Sequence, residues 1–357
     1  MFLRGSQICA LLGLVMVLIA PVYAQFSPFQ PLPKEPPIPA NNPMSAEKIA
    51  LGKNLYFDSR LSINGTVSCN SCHNIMAGGD DGRAVSQGAL TKGKRSAPTV
   101  WNAGFHSVLY WDGRAVSFED MLRTHLLARD AMAMPKANAV VARIAVIPGY
   151  QQQFAQAFNE TKPLSYENIT KALAAFLRTL VTPDSAFDRY LNGEKSALSE
   201  TALRGYDHFI NTGCASCHFW VNFAGPVPGL AFNMGEGFYE LFPNYVGSAY
   251  ERKYKLADDL GRYHVTKQNY ERRMWRVPSL RNIALTAPYF HNGSVASLDE
   301  AVRVMAVTQL KKQLTPQEVS EIVEFLNSLT GNFPEQTLPR LPETRNFSAF
   351  AATKPAK

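Results

Sequence analysis

The chain has 357 residues, 46% of them hydrophobic and 18% charged, and a formal net charge of +7. That length suits two domains with their own cores. The Lys and Arg residues are scattered rather than striped, which excludes a nucleic-acid surface of the basic-groove kind.

The N-terminus reads as a signal peptide over residues 1–24. Arg4 gives the positive start, Ile8 to Ala20 the apolar run, and Val22-Tyr23-Ala24 the small-residue cleavage signal. The apolar run is shorter than the roughly 20 residues that a bilayer crossing needs. Cleavage near Ala24 and export to the periplasm are therefore expected. Residues 25–44 are rich in proline and extended. Ser45 caps a helix running to Phe57, with Ile49 and Leu55 inward. Helical patterns follow from Phe118 to about Leu127 and from Ala139 to Ile144. Tyr166 to Leu180 is amphipathic, with Ile169, Leu173, Phe176 and Leu180 on one stripe. Thr182-Pro183-Asp184 ends it and reads as a hinge. A helix from Ser199 to Ile210 comes next, then a loop-like stretch from Phe219 to Tyr254. Capping boxes at Ser297–Glu300 and Thr315–Glu318 open two more helices, the second stopping at Gly331. The tail, residues 332–357, is expected to lie over the surface. No strand pattern stands out, and the predicted fold class is all-α.

Two pentapeptides carry the chemistry: Cys69-Asn-Ser-Cys72-His73 and Cys214-Ala-Ser-Cys217-His218. Cys-x-x-Cys-His is the attachment pattern of c-type haem. The cysteines form thioethers to the porphyrin edge, and the histidine then sits under the iron as an axial ligand. A redox Cys-x-x-Cys pair or a zinc site does not require a histidine after both pairs. The motifs use four of the five cysteines and the fifth, Cys9, lies in the signal segment, so none remains for a disulfide. The helix before Cys214 repeats the helix before Cys69, 145 residues earlier. The chain thus reads as two cytochrome c-like helical domains, 45–182 and 183–331, each with one covalent haem c.

Several collinear segments resemble the bacterial di-haem cytochrome c peroxidases, whose superfamily also contains the MauG-type oxidases. They are Leu51-Gly-Lys-Asn-Leu-Tyr-Phe-Asp, Ala97-Pro-Thr-Val-Trp-Asn, Trp111-Asp-Gly-Arg-Ala, Val277-Pro-Ser-Leu-Arg-Asn and Thr286-Ala-Pro-Tyr-Phe-His-Asn-Gly, with the two haem motifs. The resemblance implies that hydrogen peroxide reacts at the haem on His73. It implies an electron store at the haem on His218, with Trp111 between the two. Met305 matches the family's methionine ligand, and a Met–His pair raises a haem's potential. Methionine there favours the peroxidase over the MauG type, which has tyrosine. Calcium is expected at the domain interface, held by Ser96 and carbonyls near Thr286 and Pro288. Ser96 stands where the family often has asparagine, and its hydroxyl is the weaker ligand. The implied partners are a small cytochrome c or a cupredoxin as electron donor, and a second copy of the chain as a homodimer. The alternatives are a MauG-like oxidase of a protein side chain and a non-catalytic di-haem carrier.

The chain departs from the pattern around the first haem. Gln87 stands where the family has a distal histidine, so an iron that is five-coordinate or water-bound at rest is expected. The family's distal glutamine and glutamate fall on Met121 and Ala133, neither of which carries a proton. Gln87, His125 and Asp130 are the substitutes for moving that proton, with Glu119 and Asp120 read rather as solvated helix-start acids. Met121, Met132 and Met134 are candidates to line the pocket. Arg114 is expected at a haem propionate or the domain interface and His291 near the second haem. Trp101 and Trp275 are expected in packing. His106, His208 and His264 have no motif behind them.

Overall fold

The computed structural model describes residues 28–226, 238–344 and 346–350, so the signal segment with Cys9 lies outside the described residues. Helix dominates. In chain order the elements are α1 (Ala46–Phe57), α2 (Cys69–Cys72), α3 (Phe118–His125), α4 (Ala137–Ala145), α5 (Pro148–Ala157), α6 (Tyr166–Arg178), α7 (Ala186–Leu191) and α8 (Glu200–Thr212). The rest are β1 (Tyr239–Leu241), α9 (Ala249–Tyr254), α10 (Tyr263–Thr266), β2 (Met274–Arg276), α11 (Leu298–Leu310) and α12 (Pro316–Asn327). The strands pair antiparallel with Glu240 opposite Trp275. At three residues each they are too short to show an alternating pattern. They and α9 correct the expectation of a strandless chain with a loop from Phe219 to Tyr254.

Two helix crossings have the same construction. An added Cβ at Gly52 on α1 would lie 2.0 Å from the Ala172 carbonyl oxygen and 2.9 Å from Phe176 Cβ on α6. At Gly205 on α8 the distances are 1.8 Å to the Glu321 carbonyl oxygen and 3.0 Å to Phe325 Cβ on α12. Only glycine lets the two backbones approach so closely. Apolar clusters surround each crossing: Leu51, Leu55, Ile169, Leu173 and Phe176 in one, Phe187, Phe209, Ile322, Phe325 and Leu326 in the other.

A longer repeat follows each haem motif, at a constant step of 180 residues. Pro98 to Asn102 corresponds to Pro278 to Asn282. Asn102 and Asn282 are both left-handed, with φ 60° and 59°, and each opens a short 3₁₀ turn. Each also donates its side-chain amide to the Thr182 hydroxyl at 2.8 Å. Thr182, expected in a hinge, is thus a buried pin between the two copies. Isolated bridges Leu109–Ala115 and Tyr289–Val295 recur at the same step, as do Gly113 and Gly293, both with positive φ. Ser117 and Ser297 then precede α3 and α11.

The chain ends cross over. Phe29, in the extended N-terminal segment, stacks on Phe223 at 4.7 Å in the second core. The C-terminal tail returns to the first: Phe333 meets Trp101 edge-on at 5.0 Å, and the Arg143 guanidinium lies 4.5 Å from the centroid of the Phe350 ring. The box at Thr315–Glu318 forms as expected. The box at Ser297–Glu300 does not form: the Ser297 side chain makes no cap bond, and Glu300 accepts from the Tyr254 hydroxyl at 2.6 Å.

Candidate haem sites

Each motif histidine is oriented by its neighbours. His73 follows the single turn of α2, and its Nδ1 donates to the Pro98 carbonyl at 3.0 Å. His218 does the same with the Phe223 carbonyl at 2.9 Å. A proton held on Nδ1 leaves Nε2 with the lone pair that an iron takes. Burial lowers both imidazole pKa values, more than the carbonyl contacts raise them, so both are neutral. As free thiols, Cys69 and Cys214 are each pushed up to about 12 by burial. A redox pair needs the reverse, a thiol held low. Among the described residues no three His, Cys, Asp or Glu side chains converge as a metal site.

The second motif opens on a cavity of about 260 Å³, well beyond a packing defect. Its walls bring together His218, Met305, Trp111, Trp275, His291 and Arg276, with Cys214 and Cys217 at one side. Trp111 donates its indole N–H to the Ser96 carbonyl at 2.8 Å and meets His291 edge-on at 6.5 Å. His291 in turn stacks on Trp275 at 4.2 Å, which makes Trp275 part of this wall rather than general packing. The His291 Nε2 atom is buried without a partner, and burial pushes this imidazole down to about 4. Arg276 is buried and contacts the Tyr110 carbonyl and the His106 ring but makes no ion pair among the described residues. Burial pulls its guanidinium down to about 10. An apolar slot with a buried cation that makes no direct ion pair among the described residues, an orphaned imidazole nitrogen, a neutral imidazole and a thioether is the donor set for a macrocycle bearing carboxylates. Sequence reasoning passed over Arg276, because nothing local distinguishes it from the other arginines. Arg114, expected at a propionate or the domain interface, pairs with Asp112 at 2.8 Å and lies over Tyr110.

Around the first motif, His125 closes α3 with its ring centroid 6.3 Å from that of His73 and 6.1 Å from that of Tyr110. Burial, with His73 and Arg114 nearby, pushes its imidazole down to about 3. The Gln87 side chain is exposed and donates to the Gly88 carbonyl at 3.0 Å, while the Gln87 backbone carbonyl oxygen accepts from Cys72 Sγ at 3.8 Å. Asp130 is exposed. Met132 and Met134 are core residues, Ala133 between them is buried at φ 56°, and Met121 packs partly buried on the same cluster. Asp120 stays at the helix start and accepts from the Val116 amide at 3.1 Å, as expected.

Glu119 is not a solvated acid. It is buried and accepts from both Arg178 nitrogens, at 2.7 and 2.9 Å, and from Asn42 at 2.6 Å. The sequence hid this because Arg178 is 59 residues away. A second buried pair, Arg281 with Asp188 at 2.8 Å, lies beside the N-terminal segment, whose Leu32 amide also donates to Asp188. Arg95 spans the two halves, bonding Asp112 at 2.6 Å and Asp259 at 2.8 Å. Ser96, Thr286 and Pro288 line the large cavity together. The Ser96 hydroxyl reaches the Arg83 carbonyl at 3.5 Å, and the Thr286 hydroxyl stays in its own turn on Ile283 at 3.2 Å. His106 abuts Arg276, His208 bonds Glu321 at 3.0 Å, and His264 lies 3.5 Å from Asp259.

A family model described as di-haem cytochrome c peroxidase matches residues 46–196. The cytochrome c551 peroxidase of Pseudomonas aeruginosa is 38% identical over 317 residues, covering 88% of this chain and 87% of that protein. That of Nitrosomonas europaea is 39% identical, covering 87% and 88%. Among solved structures, a MauG-like protein associated with microbial copper homeostasis superposes with a TM-score of 0.73 at 32% identity, over 84% of this chain and 95% of that one.

Proposed function

The chain belongs to the di-haem cytochrome c peroxidase family and is an oxidoreductase of the peroxidase type; from that premise we propose that its two haem sites divide the work. His73, in the domain 45–182, marks the side where hydrogen peroxide is reduced to water. His218 and Met305, in the domain 183–331, hold an electron in reserve. The observation that carries this division is the shared cavity of His218, Met305 and Trp111. Bound haem supplies the one-electron iron chemistry at each site.

The chain's own residues do the rest. Cys69, Cys72, Cys214 and Cys217 anchor the two porphyrins by thioethers. The Pro98 and Phe223 carbonyls hold each imidazole with Nε2 towards the iron. Met305, a soft thioether, favours the reduced state. Arg276, buried without a direct ion pair among the described residues, would pair with a propionate. Trp111, on the cavity wall and tied to the Ser96 carbonyl, is the path between the sites. Calcium, held by Ser96 with the carbonyls of Thr286 and Pro288, would brace this interface. The signal segment supports a periplasmic location, where a small cytochrome c or cupredoxin is the donor. A second copy of the chain, as a homodimer, is a further partner of this reading.

A steady-state assay with hydrogen peroxide and reduced cytochrome c tests the reading. Sustained turnover supports it. Met121 and Ala133, at positions where a proton-moving side chain is expected, favour a second reading as a MauG-like oxidase. Consumption of peroxide without oxidation of the cytochrome would select that one, and no reaction with peroxide would leave a carrier.

A further inference from the structure

We propose that His125 is the second axial ligand of the iron carried by His73, which makes that haem bis-histidine at rest; this rests on haem being attached at Cys69 and Cys72. Two independent observations carry it.

The first is a distance. A metal–imidazole nitrogen bond is about 2 Å, and the ring centroid lies about 1 Å behind that nitrogen. Two imidazoles facing one iron therefore hold their centroids about 6 Å apart. The His73 and His125 centroids are 6.3 Å apart. A histidine acting as proton carrier must leave space for peroxide between itself and the iron, which adds about 3 Å. The observed gap holds an iron and nothing more. His125 also makes no hydrogen bond among the described residues that would tie its ring elsewhere, and its neighbours are the rings of His73 and Tyr110.

The second is the internal repeat. Pro98 maps to Pro278, Asn102 to Asn282, Gly113 to Gly293 and Ser117 to Ser297, each at a step of 180. The helix that follows keeps the register: Glu119 maps to Asp299 and Arg123 to Arg303. His125 then falls on Met305. The same turn of the same helix faces the motif histidine in both halves, with imidazole in one and thioether in the other. Nitrogen ligation favours ferric iron and sulfur ferrous, so the two positions are set for opposite resting states. This replaces the expectation, drawn from Gln87 alone, of an iron open at rest. The Gln87 side chain is exposed and turned to the Gly88 carbonyl, and only its backbone carbonyl faces Cys72. Peroxide and His125 then compete for one coordination position, and the end of α3 must withdraw before peroxide binds.

The test is the spin state of the fully oxidised holoenzyme by electron paramagnetic resonance and optical spectroscopy. Wild type is expected to show two low-spin ferric haems and no high-spin signal. His125→Ala converts half of the haem, one of two, to high spin, and added imidazole restores the low-spin form. Gln87→Ala leaves the spin state unchanged. Half of the wild-type haem in the high-spin form overturns the proposal without any variant. So does an unchanged low-spin spectrum in His125→Ala, which would give the position to another side chain such as Met132. A pyridine haemochrome count separates the two levels. Two haems per chain with an unaltered His125→Ala spectrum removes the ligand alone, whereas a wild-type count below two removes the attachment reading beneath it.

Discussion

Replacing Glu119 by Gln keeps the side chain's volume and removes its charge. Arg178, with its side chain 6% exposed, then faces an amide in place of a carboxylate that is itself 8% exposed. Breaking one side of such a buried pair costs about 3–5 kcal/mol, because the remaining charge is left without compensation. At about 2–4 °C per kcal/mol for a domain of this size, Glu119→Gln should lower the melting temperature by about 6–20 °C. Replacing both partners, Glu119→Leu with Arg178→Met, should recover most of the loss. The pair also sets an acid limit. Burial raises the Glu119 pKa, but the bonds from Arg178 and Asn42 outweigh it and the net shift is downward. A depressed carboxylate stabilises the fold above its unfolded pKa of about 4.3, and that contribution is lost as pH falls through the folded value. Wild type therefore loses stability faster than Glu119→Gln below about pH 4.3. The assay is thermal unfolding of the holoenzyme by circular dichroism between pH 3 and pH 8. A Glu119→Gln protein within about 1 kcal/mol of wild type at pH 7 would refute the reasoning, since a surface pair costs no more. Glu119 opens α3 and His125 closes it, so this clamp also positions the proposed ligand.

Gly205→Ala places a methyl group 1.8 Å from the Glu321 carbonyl oxygen, so α8 and α12 must part; the expected loss is about 1–3 kcal/mol in urea unfolding, with a similar loss for Gly52→Ala at the other crossing. Met305→Ala removes the sulfur from the His218 site. One haem should fall in potential by on the order of a tenth of a volt, within the roughly 0.8 V that axial ligands span, while a spectroelectrochemical titration shows the other unchanged. Trp111→Phe keeps an aromatic wall but loses the bond to Ser96. Turnover with peroxide should fall on the order of tenfold, about 1.4 kcal/mol of barrier, with the KM for the electron donor unaltered.

The parts of the fold that were legible in the sequence are those written locally. Ser45 and Thr315 cap their helices as expected, and the two haem motifs are contiguous pentapeptides. What escaped is non-local. Phe29 is an isolated aromatic in a proline-rich run, and its place in the second core shows only when the chain is folded. Glu119 looks like any first-turn acid until Arg178 arrives beside it. The role of His125 was hidden differently. The step between the halves is 145 residues at the cysteines, 153 at the crossing glycines and 180 after Pro98. Insertions of unequal length thus break any single register, and only the recurring backbone features from Asn102 to Ser117 restore it. Had that segment been aligned with Asn282 to Ser297 by itself, His125 would have fallen on Met305 from sequence alone.

The proposed division of labour needs unequal haems, one fitted for oxidant and one for storing an electron. Titration of the oxidised holoenzyme with one electron per chain tests this most directly. The first equivalent should reduce only the haem ligated by His218 and Met305, with the His73 haem still ferric. Equal reduction of both, or reduction of the His73 haem first, would contradict it.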